Sequence, residues 1–351
     1  MARIRLKKPI YPISKELRLY LKRSNREMKV PITYQDLMRY RSAITLVDRN
    51  GKDTLWETLV YDEVDRNYID DCLREVYALL KVGGDVSVIK HLFIDRVDLC
   101  MFGNTRPIRV RIVNKINDLF DYFYIKQADA SRIYGMELEH MLSPNKINYL
   151  VKGNTLIEEH IQGIPGDVFN KEYLTRNDFN HVRLAKEFVK FNERCLVQLL
   201  GDMRDDNFVV EAIPDFDEVH FRLRSIDFDQ ECFEGSRKIY MPQYFKENNP
   251  IVQLGMKAMS STLELQYQKE ERIRMTNRVI DTQYDLQQMF KAMQNDELST
   301  KENTLQLREE LTDLYEDDSF MSCESSGDIV KTSLEMLFKY PVRTQKRLVN
   351  A

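Results

Sequence analysis

Apolar spacing divides this chain into a strand-rich first half and a helix-rich second half. ISKELRLYLKRS and TYQDLMRY carry short helical patterns near the start. In SAITLVDRNGKDTLWETLVY, two apolar-rich runs flank Asn50-Gly51. Both residues tolerate the positive φ of a tight turn, so this stretch predicts a hairpin, with Trp56 expected in the core. RNYIDDCLREVYALLKVGG predicts an amphipathic helix, with Tyr68, Ile69, Cys72, Val76, Leu79 and Leu80 on one stripe. Gly83-Gly84 would end it.

VSVIKHLFIDRVDLCMFG, TRPIRVRIV and DLFDYFYIKQ then read as three consecutive strands, the third closing on Lys126. The next pattern, ASRIYGMELEHML, is helical. At about 100° per residue, Ile133, Tyr134, Leu138, Met141 and Leu142 share a face, Glu137 sits at its edge and Glu139 points nearly opposite. A carboxylate beside an apolar face needs a partner, and Lys126 is the natural candidate for Glu137. INYLVKGNTLIEEHIQGIPGD adds two short strands around Lys152-Gly153-Asn154.

The second half opens on a long amphipathic helix, RNDFNHVRLAKEFVKFNERCLVQLL, which delivers the chain to Asp202. A predicted hairpin follows, FVVE and VHFRLRSI around a polar turn at Pro214 and Asp215. From Ile251 to Glu297 the pattern is helical and free of proline. STKENTLQLREELTDLY begins with a Ser/Thr cap signal followed by Glu302. EDDSFMSCESSGD, acidic and serine-rich, is expected to be a mobile linker before one last short helix and a basic tail.

Composition narrows the function classes. The chain has 351 residues, room for two lobes or two to three small domains. A net charge of −4 argues against a general nucleic-acid or membrane-surface binder. Five scattered cysteines without a C-x-x-C pair read as core thiols in a reducing compartment. The basic opening MARIRLKKPIY is not followed by the apolar run of a signal peptide, and no stretch has the length of a membrane span. A cytoplasmic location is therefore expected.

The chemistry concentrates in LLGDMRDDNFVV and RSIDFDQ. Asp202 precedes Asn207 by five positions, and Asp227 follows the hairpin. One carboxylate to orient an attacking hydroxyl, with an amide and a second carboxylate to hold a metal, is the set that phosphoryl transfer from a nucleotide requires. The order helix, D-x-x-x-x-N, strand, turn, strand, D-F resembles the catalytic and metal-binding segments of the protein-kinase-like superfamily. In form it is most similar to small-molecule kinases of the aminoglycoside and choline phosphotransferase type.

The resemblance spans roughly residues 86–250. It implies an α+β, bilobal protein-kinase-like fold with a five-stranded antiparallel N-lobe, a mainly helical C-lobe, and N- and C-terminal additions. The corresponding divisions are 1–85, 86–161, 162–298 and 299–351. It implies an ATP- and magnesium-dependent phosphotransferase acting on a hydroxyl of a small-molecule acceptor. By it, Asp202 is the catalytic aspartate and Arg204 a phosphate-contacting cation, while Asn207 and Asp227 hold magnesium. Lys126 grips the phosphates, Glu137 holds Lys126, Gly103 marks the phosphate loop, and Glu158 to Ile161, including Glu159, form the adenine hinge. Leu200 stands where the family places histidine, and Gly103 is alone in MFGNTRP. A pseudokinase scaffold and an atypical Ser/Thr protein kinase are the alternatives. Asp215, Asp217, Glu218, Asp229, Glu231 and Glu234 could attract a cationic acceptor, and the C-terminal helices could pair two copies of the chain.

Overall fold

The structure is a computed structural model that describes residues 8–85, 87–102, 105–176, 179–216 and 219–340. Among the described residues it is α+β, with eleven α-helices and ten strands. The elements begin with α1 (Lys15–Arg23), α2 (Tyr34–Leu37), β1 (Ser42–Val47), β2 (Asp53–Val60) and α3 (Glu63–Val82). Next come β3 (Leu92–Cys100), β4 (Ile108–Asn114), β5 (Phe120–Gln127), α4 (Ala130–Leu142), β6 (Tyr149–Lys152) and β7 (Thr155–Glu159). They continue through β8 (Ile164–Pro165), α5 (Gly166–Glu172), α6 (His181–Gln198), β9 (Phe208–Pro214) and β10 (Val219–Ser225). The last are α7 (Asn249–Ala258), α8 (Ser261–Asp281), α9 (Gln283–Met293), α10 (Lys301–Tyr315) and α11 (Ser326–Lys339). No helix among the described residues is long and apolar enough to cross a membrane.

The chain forms two compact units: a sheet unit of Pro12–Asp129 with Ile147–His160, and a helical unit holding the remainder. The sheet unit contains one antiparallel sheet of seven strands, in the order β1-β2-β3-β4-β5-β7-β6. Five strands were expected. The first hairpin is part of the same sheet because β2 pairs with β3, Trp56 opposite Cys100 and Thr58 opposite Asp98. That pairing is non-local, so neither strand's own alternation announces it.

Alternation sorts the sheet into two faces. Val97, Leu99, Val110, Phe123, Ile125 and Ile157 join Ile69, Leu73 and Val76 of α3 in one buried cluster. α3 ends as its glycines predict, with Gly83 in the left-handed region as C-cap. Tyr68 departs from the predicted stripe and is 61% exposed. The opposite face carries Asp98, Arg109, Tyr124 and Glu158 in register across β3, β4, β5 and β7. Trp56 belongs to this polar face rather than to the core, and its ring lies 4.2 Å from the Arg109 guanidinium. The first hairpin closes through a longer loop than the predicted tight turn. Val47 pairs with Asp53, and the Asp48 carboxylate accepts from the backbone N–H groups of Asn50 and Lys52.

The helical unit is organised around α6. Its inner face, including Leu184, Phe188, Phe191, Cys195 and Leu196, is buried. Two buried ion pairs join it to α8: Arg194 to Glu271 at 3.0 Å and Glu193 to Arg272 at 2.7 Å. α4 is buried all round, so the predicted contrast between an inner Glu137 and an outer Glu139 fails, both being 3% exposed. Glu139 accepts hydrogen bonds from Asn145 Nδ2 at 2.7 Å and Gln198 Nε2 at 3.3 Å. The expected acidic linker is ordered as well. Phe320 is fully buried and stacks on Tyr315, and Ser325 and Asp328 form a capping box for α11. Apolar burial and a satisfied helix start override the polar composition of that segment.

Candidate functional site in the helical unit

The sequence ends α6 without glycine or proline. Leu199 takes the left-handed C-cap conformation instead, at φ 62°. Its carbonyl accepts from Cys232 N–H, and Gly201 N–H donates to the Gln230 carbonyl. Residues 199–201 thus run beside residues 230–232. A Cβ on Gly201 would stand 3.0 Å from that carbonyl, which accounts for glycine there.

Asp202 follows, 7% exposed and also left-handed, at φ 60°. Asp tolerates this region better than most residues, and such backbone strain concentrates at functional sites. Its backbone N–H donates to the Ile239 carbonyl at 3.1 Å. Asn207 Nδ2 donates to the Asp202 carbonyl at 2.7 Å and to its Oδ2 at 3.3 Å. The five-residue spacing therefore closes a loop whose amide side chain turns its N–H groups inward. The Asn207 carbonyl then accepts from Ile226 N–H at 3.0 Å, fixing the loop to the residue preceding Asp227. β9 and β10 pair in continuous register from Phe208 opposite Ser225 to Pro214 opposite Val219, the predicted hairpin.

Charge follows from this placement. Burial raises the Asp202 carboxyl to about 7; Arg204 opposes the shift, and Asp227 and Asp206 add to it. Arg204 Nε lies 2.9 Å from Asp202 Oδ1. Neither of these atoms is aligned for a hydrogen bond, but Arg204 Nη2 donates a long one to Asp202 Oδ2 at 3.4 Å. Asp227 is held from the other side. Arg132, 2% exposed on α4, donates from Nη1 to Asp227 Oδ1 at 2.7 Å and to Asp229 Oδ1 at 2.9 Å. Its Nη2 donates to the Ile226 carbonyl at 3.2 Å.

Sequence reading overlooked Arg132. A signal was present: a cation in the first turn of a helix opposes the helix dipole and needs carboxylates nearby. Magnesium keeps water and phosphate oxygens and takes only one or two carboxylates from protein. The Asn207 amide oxygen and the Asp227 carboxylate suit that donor set. No group of three His, Cys, Asp or Glu side chains among the described residues could hold a metal ion.

The sheet unit contains Lys126, 9% exposed at the end of β5. Its ion pair is with Glu158 Oε2 at 2.8 Å, where sequence reasoning expected Glu137. Lys126 pairs in register with Leu156, and Glu158 is the diagonal neighbour two residues along β7. Glu137 is buried in α4 and is not free. Glu159 accepts from Asn148 N–H at 2.9 Å and pairs with Lys81 at 3.4 Å. Burial lowers the pKa of His160. Ile161 is buried in the helical unit. Gly103, Asn104, Asp217 and Glu218 lie outside the described residues.

The expected acidic rim for a cationic acceptor does not hold together. Glu231 is fully buried and Glu234 is 3% exposed. Burial, with the charge of Glu139, lifts the Glu231 carboxyl far above the usual range. Asp215 is bonded to His220 at 2.8 Å. All five cysteines are buried, and none is in a disulfide. No protein-family model matches this chain, and comparison with curated proteins finds no relative.

Proposed function

We propose that this chain is a cytoplasmic, ATP- and magnesium-dependent phosphotransferase of bilobal, protein-kinase-like type that transfers the γ-phosphate to a hydroxyl of a small-molecule acceptor. One observation carries the reading. A buried, strained Asp202 with a carboxyl near neutrality is locked to Asn207, and a hairpin joins that loop to Asp227. A base whose pKa lies near working pH combines the needed protonation state with proton-transfer driving force. Asp202 orients the acceptor hydroxyl and takes its proton. Asn207 and Asp227 hold magnesium, which neutralises phosphate charge when bound. Arg204 contributes a positive charge beside them, and Lys126 is assigned to the phosphates. Buried thiols outside disulfides favour a reducing compartment.

A pseudokinase reading has its own support: Arg132 already engages the Asp227 carboxylate that a metal would need. The two are separated by measuring magnesium-dependent ATP binding and slow ATP turnover in wild type, Asp202→Asn and Asp227→Asn. The enzyme reading expects Asp202→Asn to retain binding while turnover falls by roughly a hundred- to ten-thousand-fold. Asp227→Asn should weaken both. Nucleotide binding with turnover insensitive to Asp202→Asn would transfer support to the pseudokinase, and no purine nucleotide binding at millimolar concentration would overturn the enzyme reading.

A further inference from the structure

Asp202, Asp227 and Asp229 each face an arginine. Asp202 lies against Arg204, while Asp227 and Asp229 share Arg132. In the second group one positive charge stands against two negative ones, and the Asn207 amide adds none.

Arg132 is held in place by its helix. One residue earlier, Ser131 Oγ donates to the Glu231 carbonyl at 3.0 Å and to the Asp229 carbonyl at 3.4 Å. About one turn on, Gly135 lets α4 come close: a Cβ there would stand 3.2 Å from Phe228 Cβ and 3.3 Å from Glu231 Cβ. The start of α4 is thus seated on the segment that carries Asp227. From that seat the guanidinium fork reaches Asp227, Asp229 and the Ile226 carbonyl together. Guanidinium does not deprotonate in proteins, so this positive charge is permanent, and burial leaves it little screened by salt. A cation in the first turn works against the helix dipole, so the stability of α4 alone does not select arginine here.

The contact does not seal Asp227, whose side chain stays 37% exposed. Its Oδ1 accepts from Arg132 and also from the Asp229 N–H at 3.1 Å. A divalent ion arriving alone would meet one assigned carboxylate and one amide beside a fixed cation. Magnesium dehydrates reluctantly, and where protein supplies only one or two carboxylates it is held with substrate phosphates. Phosphate oxygens arriving with the ion would offset the repulsion from Arg132. On the phosphotransferase reading, we propose that Arg132 is a positioning residue that acts through Asp227 to make the site selective: it refuses a free divalent cation and accepts one carried on a nucleoside triphosphate.

The test is manganese binding to the full chain, followed by electron paramagnetic resonance, with Mn²⁺ alone and with Mn²⁺ and ATP together. Wild type should bind the manganese–ATP complex about tenfold or more tighter than free manganese. Arg132→Gln should bind free manganese about tenfold or more tighter than wild type does, and adding Asp227→Asn should remove that gain. Arg132→Lys keeps the charge without the fork, so it should still refuse free manganese; a merely structural arginine would make the two variants alike. Free manganese bound by wild type as tightly as the ATP complex overturns the proposal, whatever the folding of any variant. So does a folded Arg132→Gln protein that binds free manganese no better than wild type, or an Arg132→Lys protein that gains as much as Arg132→Gln. Each of these leaves the phosphotransferase reading standing, because manganese–ATP still binds. Absence of manganese–ATP binding in wild type overturns that reading, and this proposal with it.

Discussion

Asp202→Asn should make this protein more stable at pH 8 while removing the proposed base. Burial is the main reason its carboxyl rises from 3.8 to about 7, a gap of about three pH units, or about 4 kcal/mol at 1.36 kcal/mol per unit. Between those values the native state binds a proton that the unfolded chain has released, so stability falls as pH rises. The contribution is complete below pH 4 and gone above pH 7. Asparagine cannot ionise and tolerates the left-handed backbone. It leaves the 2.7 Å bond from Asn207 to the residue-202 carbonyl in place. The lost contact with Arg204 is already contained in that gap, because Arg204 lowers the carboxyl within it. The net expectation is a gain of about 4 kcal/mol at pH 8 and near-equality at pH 4. Urea unfolding should be followed by far-ultraviolet circular dichroism, because the single tryptophan, Trp56, lies in the sheet unit and Asp202 in the helical unit. A stability difference between variant and wild type that does not change between pH 4 and pH 8 would refute the assignment of a buried, proton-holding Asp202.

Three further outcomes are expected. Turnover should rise with pH through about 7 as Asp202 loses its proton, and Arg204→Ala should move that midpoint upward, because the Arg204 charge opposes the rise; a pH–rate profile of each protein is the check. Arg132→Gln should cost about 2 kcal/mol by removing the cation from Asp227 and Asp229, whose side chains stay 37% and 20% exposed. Millimolar magnesium should restore part of that loss by binding the native state, and melting curves without any magnesium-dependent recovery would count against metal binding at Asp227. Gly166→Ala should destabilise by about 1–3 kcal/mol, since its Cβ would stand 2.5 Å from the Asp205 carbonyl and 2.6 Å from the Phe208 ring. The same collision displaces the Asp202–Asn207 loop, so turnover should fall further than the loss of folded protein explains.

Local chemistry was legible in the sequence because it acts over a few residues. Helical spacing located α4 over Ala130–Leu142, and alternation located both arms of the β9–β10 hairpin. The same hairpin fixed the order in which Asp202, Asn207 and Asp227 are delivered. Gly83 announced the end of α3 through its conformational freedom. The tertiary structure decided what depends on register and burial. Strand pairing across β5 and β7, rather than helix phase, gave Lys126 its contact with Glu158. Pairing of β2 with β3 moved Trp56 from an expected core position onto a polar face beside Arg109. Folding of α4 against residues 226–229 brought Arg132 to two acids nearly a hundred positions away. It also buried Glu231, which composition placed among surface acids. Local spacing specifies which face of an element a side chain occupies; the partner of that face, and the free energy of a charge placed there, arise only when distant segments exclude water together.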